Sequence, residues 1–515
     1  MMLDLELYTS VFLCLIPFIF LLFINLFQSN STKIPKSYPI IGSYFSILAN
    51  KQRRIQWISD VVRSTSNLTF TLIRPFGFRQ IFTANPSNVQ HILKTHFPIY
   101  QKGDIFKTTM SDFLGDGILN VDGDIWKYQR QVASHEFNTR SLRKFVETVV
   151  DAELNERLIP LLAIAAEEKK VLDFQDVLQR FAFDNICKIA FGYDPAYLLP
   201  SLPQAKFAVA FEDSVRFSSE RFNALFPFLW KIKRKFNIGS EKKFRIAVDE
   251  VRQFAKQLVN EKQRELNEKS SLDSVDLLSR FLSVGYKDED FVTDIVISFI
   301  LAGRDTTSAA LTWFFWLLSE HPEVENNILN EIKAKSESPV YDEVKDMIYT
   351  HASLCESMRF YPPVPMDTKA ATVDNILPDG TFVKKGTRVT YHPYAMGRVE
   401  KIWGKDWANF RPERWLDKDE VTGNWTFVAK DMYAYPVFQA GPRICLGKNM
   451  AFLQMKRVVA DVLRQFKVVP VAEKGVEPVF VSYLTAKMKG GFPVTIEGRT
   501  QIFDFSPNIA KKVVF

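Results

Sequence analysis

Residues Phe438 to Gly447 read FQAGPRICLG, and the fold is best predicted by starting from them. Cys445 stands just ahead of a helix predicted from Leu446 to Phe466, so the positive end of the helix dipole should lower the pKa of its thiol. Backbone amides near Gly447 can donate hydrogen bonds to the sulfur. The pattern therefore favours a thiolate, the form in which cysteine binds metals.

The neighbours of the cysteine each have a physical use. Phe438 can shield the sulfur from water, and Arg443 can bind an acidic group through charge-assisted hydrogen bonds. Gly441 and Gly447 permit tight backbone geometry and the close approach of a flat ring. The alternative is a buried structural cysteine flanked by turn glycines. A disulfide framework is not expected, because the four cysteines are widely spaced without a CxxC or zinc pattern: Cys14, Cys187, Cys355 and Cys445.

The spacing F-x-x-G-x-R-x-C-x-G resembles the haem-binding signature of the cytochrome P-450 superfamily. The resemblance implies the cytochrome P-450 fold, which is mainly α with a smaller β portion. It also implies that haem b is the cofactor and that the thiolate of Cys445 is the axial ligand of the iron. Arg443 would then pair with a haem propionate.

Two further segments match the same superfamily. Trp126-Lys-Tyr-Gln-Arg130 places an aromatic and a basic residue one helical turn apart, where both could reach a propionate. An amphipathic helix with an aromatic core residue is the alternative. Glu356 and Arg359 lie on one face of an apolar helix, where charges need partners. With Arg414 from the segment FRPERW, they resemble a structural triad that retains the fold and the haem.

The segment Ala302-Gly-Arg-Asp-Thr-Thr interrupts an apolar helix predicted from Val292 to Ser319. An acid in such a helix is costly unless it is used. By resemblance, Ala302 and Gly303 make room for the porphyrin and dioxygen, Thr306 holds the hydrogen-bond network there, and Asp305 relays protons. A kink with a solvent-facing Asp305 is the alternative. Members that rearrange hydroperoxides often lack the threonine, so an oxygen-activating monooxygenase is favoured.

Three longer stretches resemble plant fatty-acid omega-hydroxylases of family 94, subfamily A: Asp112 to Glu147, Arg180 to Pro200 and Ser298 to Glu320. The resemblance implies hydroxylation of the terminal carbon of medium- to long-chain fatty acids, with O2 and with electrons from NADPH through NADPH-cytochrome P-450 reductase. By family position, an apolar substrate lining is expected. Its members would be Phe113, Leu114, Ile118, Phe299, Val364 and Leu484, with Ala302 at the haem.

Three other functions stay open from the sequence. Related members of family 94 oxidise the terminal carbon of jasmonoyl-isoleucine. A non-enzymatic haem-binding or electron-transfer protein would not need Asp305 and Thr306. A catalytically silent membrane interaction protein would not need the complete set of catalytic segments. A nucleic-acid partner is not expected, since the net charge is only 66 − 59 = +7 and no run of like charges occurs.

The N-terminal run from Leu7 to Phe27 is almost uninterrupted apolar sequence, which predicts one transmembrane helix. A cleaved signal peptide is the alternative, but acidic residues precede the run. Basic residues follow it, which predicts a single-pass protein of the endoplasmic reticulum membrane with a cytosolic catalytic domain. The predicted divisions are an anchor (1–30), a proline-bearing hinge (31–45), the haem-thiolate monooxygenase domain (46–498) and a C-terminal tail (499–515).

Local patterns predict a hairpin from Leu68 to Thr83, a linker from Glu261 to Asp276 and a helix from Val344 to Phe360. A basic face on the cysteine side is expected to attract the acidic reductase. Its predicted members are Lys127, Arg130, Arg140, Arg143, Lys144, Lys448 and Lys456.

Overall fold

A computed structural model describes residues 34–203, 206–268, 276–283, 288–336, 339–419, 423–473 and 475–499. The described part is mainly helical with a smaller β portion, as predicted. The predicted anchor, and the tail beyond residue 499, lie outside the described residues. Among the described residues, no helix is both long enough and apolar enough to cross a membrane.

Helices make up most of the first half of the described chain. They are α1 (Tyr44–Ala49), α2 (Arg54–Ser64), α3 (Pro86–Gln90), α4 (Gly103–Leu114), α5 (Gly123–Ser134), α6 (Thr139–Lys144), α7 (Asp151–Glu153), α8 (Ile159–Glu167), α9 (Phe174–Phe191), α10 (Lys206–Asn223), α11 (Pro227–Phe236), α12 (Gly239–Glu268) and α13 (Leu277–Ser283).

The helices of the second half carry most of the signature segments. They are α14 (Glu289–Ile300), α15 (Thr306–Glu320), α16 (Pro322–Lys333), α17 (Tyr341–Lys345), α18 (Ile348–Phe360), α19 (Pro393–Met396), α20 (Glu400–Trp403) and α21 (Lys448–Gln465). A π-helical turn, Leu301–Asp305, joins α14 to α15, and Pro322 directly after His321 accounts for the end of α15.

The strands form one larger sheet and several small ones. The largest sheet has the order β1-β2-β8-β5-β3, and a three-stranded sheet has the order β11-β14-β4. The remaining strands pair as β6 with β7, β9 with β10 and β12 with β13. The strands are β1 (Thr69–Ile73), β2 (Arg79–Thr83), β3 (Tyr100–Gln101), β4 (Leu172–Asp173), β5 (Asp367–Ala371), β6 (Asn375–Ile376), β7 (Phe382–Val383), β8 (Arg388–Tyr391), β9 (Leu416–Lys418), β10 (Trp425–Phe427), β11 (Phe466–Pro470), β12 (Phe480–Ser482), β13 (Ala486–Met488) and β14 (Pro493–Gly498).

Several local predictions hold and two are wrong. The predicted hairpin is present, since β1 pairs antiparallel with β2. The predicted linker is wrong in its first half, because α12 continues to Glu268 along an amphipathic sequence. The helix predicted from Val344 is also wrong at its start, because the backbone of Met347 is non-helical and separates α17 from α18.

The long helix made by α14, the π turn and α15 runs through the centre of the molecule. Its first half, which includes Phe299, packs with Phe113 and Phe211 in a cluster that we call the upper core. Its second half packs in a cluster with α18 and α21, which we call the lower core. The π turn stands where the helix passes from one core to the other.

Candidate active site

The loop before α21 holds Cys445 in a fixed backbone. The Cys445 amide donates to the Phe438 carbonyl at 2.8 Å. Gly441 has a φ of +64°, and a Cβ there would lie 2.0 Å from the Leu93 carbonyl oxygen, so only glycine fits. Gly447 has no such constraint, because a Cβ there would meet only Phe137 and the Cys445 sulfur at ordinary contact distance.

The thiol of Cys445 faces an opening in the protein. Its side chain is exposed, whereas Cys187 and Cys355 are buried, so the alternative of a buried structural cysteine is wrong. Burial by the surrounding protein nevertheless raises the pKa of the Cys445 thiol. Amides of Gly447 and Lys448 and the charge of Arg130 lower that pKa, but desolvation outweighs them, so the net lowering predicted from the sequence is wrong. A bound metal ion deprotonates such a thiol directly.

The predicted aromatic and basic residues meet beside the cysteine loop. Arg130 donates from Nη2 to the Ile444 carbonyl at 2.7 Å. The Arg443 guanidinium lies over the Trp126 ring, 4.4 Å from its centroid, and that of Arg130 lies 5.8 Å from it. Arg443 also donates to Asp122 Oδ1 at 2.6 Å. Trp126 is buried, and its ring contacts both arginines beside the cysteine loop.

Two buried lysines beside Arg443 were missed by sequence reasoning. Lys369 is only 1% exposed and pairs with Asp367 at 2.8 Å. Burial, with the charges of Lys369 and Arg443, lowers the pKa of Lys102 to about 7. The signal was a lysine inside the short buried strand β5, where a charge needs a partner. The sequence alone could not show that this lysine lies close to Arg443 of the cysteine loop.

The residues of this region fit a haem. An exposed thiol with two amide donors suits an axial iron ligand, and the basic groups Arg130, Arg443, Lys102, Lys107 and Lys369 outnumber the acids Asp122 and Asp367. The excess of positive charge suits the two propionates. The exposed Ala302 is a small residue on an otherwise buried helix, as a flat ring against the helix requires.

The π turn confirms the predicted interruption of the central helix, and such turns occur frequently at functional sites. The Thr306 hydroxyl donates to the Ala302 carbonyl at 2.6 Å, so both residues share one face. Gly303 was assigned wrongly. A Cβ at Gly303 would lie 2.6 Å from the Ile186 side chain, so this glycine makes room for α9 and not for a porphyrin.

Asp305 is buried in a network of charges. It pairs with Arg304 at 2.7 Å and accepts a hydrogen bond from Thr485 at 3.3 Å. Arg304 pairs with Glu212 at 2.8 Å, and Glu212 also binds Lys487. Burial raises the pKa of Asp305, and Arg304 acts against that rise. Asp305 is only 1% exposed, so the alternative of a solvent-facing Asp305 is wrong.

The predicted structural triad is present below the cysteine. Arg359 donates to both oxygens of Glu356, at 2.9 and 2.7 Å, and Arg414 donates to Glu356 Oε1 at 3.3 Å. Glu356 and Arg359 are fully buried. Trp415 donates from its indole nitrogen to Glu356 Oε2 at 2.9 Å. Phenylalanine at this position would have no such donor.

Comparison with known proteins decides the family. The family model described as cytochrome P450 matches residues 34–491. The chain belongs to the cytochrome P450 family. It is 65% identical to cytochrome P450 94A2 and 64% identical to cytochrome P450 94A1, both from Vicia sativa; the alignments cover 92% of this chain in each case, and 93% and 92% of those proteins. It is 45% identical to cytochrome P450 94B1 from Arabidopsis thaliana over 96% of this chain and 99% of that protein.

As a P450 of family 94, subfamily A, the chain uses haem b with an axial cysteine thiolate. The upper core of this P450 holds most of the predicted substrate lining. Phe113, Leu114 and Phe299 belong to it, and Ile118 and Leu484 pack against it. Phe113 is fully buried and meets Phe211 edge to face at 5.3 Å. Val364 lies partly buried in the loop between α18 and β5.

The basic face of this P450 is smaller than predicted. Lys456 is wrong, because it is only 3% exposed and donates to the Lys345 carbonyl at 2.8 Å. Arg130 is occupied at the cysteine loop. The exposed members are Lys127, Arg140, Arg143, Lys144 and Lys448. Of these, Lys127 and Arg143 already form ion pairs with acids on the protein.

Proposed function

We propose that this P450 hydroxylates the terminal carbon of medium- to long-chain fatty acids, with O2 and with electrons from NADPH through NADPH-cytochrome P-450 reductase. The proposal is carried by the likeness to subfamily 94A along nearly the whole chain, because the plant fatty-acid omega-hydroxylases that the sequence resembles lie in that subfamily. The apolar upper core beside Ala302 supports it, since a fatty chain requires an apolar channel.

When bound, the haem supplies the redox chemistry that activates dioxygen, and the side chains prepare its surroundings. The exposed Ala302 leaves part of the face of the central helix uncovered. Thr306 keeps its hydroxyl on that face through its bond to the Ala302 carbonyl. We propose that Asp305 and Thr306 act as the catalytic pair, with Asp305 holding a proton in its buried network. A non-enzymatic haem protein would have no use for this pair.

We also propose that the protein resides in the endoplasmic reticulum membrane, held by the run from Leu7 to Phe27, with the catalytic domain in the cytosol. A substrate that partitions into membranes would suit this arrangement. Asn67 and Asn424 are glycosylation sequons in the catalytic domain. A cytosolic domain leaves both bare, so a glycan found on either asparagine would contradict the proposed topology.

The proposed reaction is tested by turnover of the holoenzyme with NADPH and reductase. Dodecanoate, oleate and jasmonoyl-isoleucine are offered separately, and the position of the new hydroxyl group is determined by mass spectrometry. We expect the terminal hydroxy acids from the two fatty acids. Oxidation of jasmonoyl-isoleucine alone would overturn the fatty-acid assignment and favour the conjugate as substrate.

We expect the reductase to dock beside the cysteine loop. Phe137 lies against Gly447, which places the chain around Arg140 and Lys144 near Lys448. Charge reversal by Lys144→Glu with Lys448→Glu should slow first-electron transfer about tenfold at low ionic strength, and less at high salt, because steering by charge is screened. Stopped-flow reduction measures the rate.

The matched control is Lys242→Glu with Lys243→Glu, which makes the same change in net charge on two exposed lysines of α12. We expect the control to reduce the rate little. Equal rates for both double variants at low salt would place the docking surface elsewhere.

A further inference from the structure

Three arginines from separate elements of the fold lie together around Gln80. Arg74 and Arg388 both donate to Gln80 Oε1, at 3.2 and 3.1 Å. They are 6% and 8% exposed. Arg54, at the start of α2, interacts electrostatically with both, and its side chain keeps some accessible surface. We call these three residues the arginine cluster.

The arginine cluster has no acidic partner within the described part of the chain. None of its members forms an ion pair with a described residue, and the charges that act on them are one another's. Burial and the charge of Arg74 lower the pKa of Arg54 to about 9. Burial also lowers the pKa values of Arg74 and Arg388, so the charged form of each arginine is disfavoured. Buried charges of one sign are costly unless an anion compensates them.

Helix α10 compensates two of the three charges in part. Arg74 donates to the Asn223 and Ala224 carbonyls, at 3.3 and 2.8 Å, and Arg388 donates to the Phe222 carbonyl at 3.5 Å. These carbonyls form the negative end of the α10 dipole. Arg54 donates to no described residue, so its guanidinium is the donor left for a ligand.

Contacts among apolar side chains connect the arginine cluster to the core around the central helix. The Arg388 guanidinium lies 5.3 Å from the centroid of the Phe222 ring, and Phe222 meets Phe106 at 5.7 Å. Both rings pack against the upper core, which also contains Phe299 and Leu301 next to Ala302. These contacts have a charged region at one end, an apolar region between, and the cysteine site at the other end. This order matches an amphiphilic carboxylate.

We infer that the arginine cluster binds the carboxylate of the substrate, with Arg54 as the principal donor and the apolar tail lying past Phe222 and Phe106 towards Ala302. The inference rests on the proposed function and adds to it. Holding the charged end away from the haem presents the opposite end of the chain to it. The position of the bound carboxylate then selects the terminal carbon for hydroxylation.

Arg54→Gln is the decisive variant, because Arg74 and Arg388 also hold the end of α10. Equilibrium dissociation constants of the holoenzyme are measured by calorimetry for dodecanoate and for methyl dodecanoate, which lacks the charge. We expect Arg54→Gln to weaken dodecanoate about tenfold or more, the worth of one charge-assisted hydrogen bond, and to leave the ester unchanged. Arg53→Gln, at an exposed neighbour that pairs with Asp60, is the control and should change neither.

The unfolding midpoint of the holoenzyme without fatty acid separates binding from folding. Arg54→Gln should leave it equal or higher, because one of three repelling charges is removed. A lowered midpoint, or equal weakening of acid and ester, would show that Arg54 shapes the protein and would overturn the inference.

The inference and the proposed function can fail separately. If fatty acids are hydroxylated at the terminal carbon but Arg54→Gln leaves dodecanoate binding unchanged, the carboxylate site fails and the function stands. If only jasmonoyl-isoleucine binds, and Arg54→Gln weakens it without affecting its methyl ester, the fatty-acid function fails and the carboxylate site stands.

Discussion

Replacement of Cys445 by alanine should abolish the red-shifted absorption band that the carbon monoxide complex of the reduced holoenzyme shows with thiolate ligation, and should reduce turnover below detection. Cys445 is the exposed cysteine of the described chain, and it has two amide donors directed at its sulfur. No other side chain described at the loop offers a soft, anionic ligand of this kind. Difference spectra and turnover measure the two effects.

Cys355→Ala is the control for that experiment. Cys355 is also a free thiol in the lower core, but it is buried, and burial raises the pKa of its thiol well above the ordinary range. This variant should keep the band and most of the activity. A red-shifted band in Cys445→Ala would assign the thiolate to another residue and refute the central role given to the loop.

Replacement of Glu356 by alanine should destabilise the holoenzyme by about 3–5 kcal/mol and release haem, because the buried Arg359 would lose its only charged partner among the described residues. Arg359 would keep its bonds to the Trp407 and Asn409 carbonyls, which do not neutralise it. The denaturant midpoint and the haem content after gel filtration measure the effect.

Trp415→Phe is the matched comparison, since it removes one donor to Glu356 and keeps a smaller aromatic ring. It should cost about 2–3 kcal/mol, from the lost hydrogen bond to a charged group and the smaller buried side chain. Similar losses for Glu356→Ala and Trp415→Phe would mean that the ion pair contributes little beyond the indole bond. The triad would then contribute little to retaining the fold.

The sequence predicted best the features that lie within one segment. Cys445 with its loop, Trp126 with Arg130, and Glu356 with Arg359 are each set by spacing along one turn or one helix. Errors arose where a distant element decides the role of a residue. Gly303 is explained by Ile186 of α9, and Lys456 is buried against the carbonyl of Lys345. Periodicity does not reveal such neighbours.

Groups that meet only in three dimensions were not predicted at all. Lys102 and Lys369 come from different elements and converge on Arg443. Arg54, Arg74 and Arg388 are spread along the chain and meet because β2 pairs parallel with β8, which sets Gln80 beside Arg388. A single sequence shows each as one more basic residue, since its charge partners are fixed by the sheet.

The π turn at Leu301–Asp305 has a consequence for the evolution of the central helix. A π turn holds one residue more than an α turn, so α15 is rotated about the shared axis by roughly 100° relative to an uninterrupted helix. Deleting any one residue between 301 and 305 would remove that rotation and turn every side chain of α15 to a different direction around the helix axis. The length of this turn is therefore constrained in addition to the types of its residues.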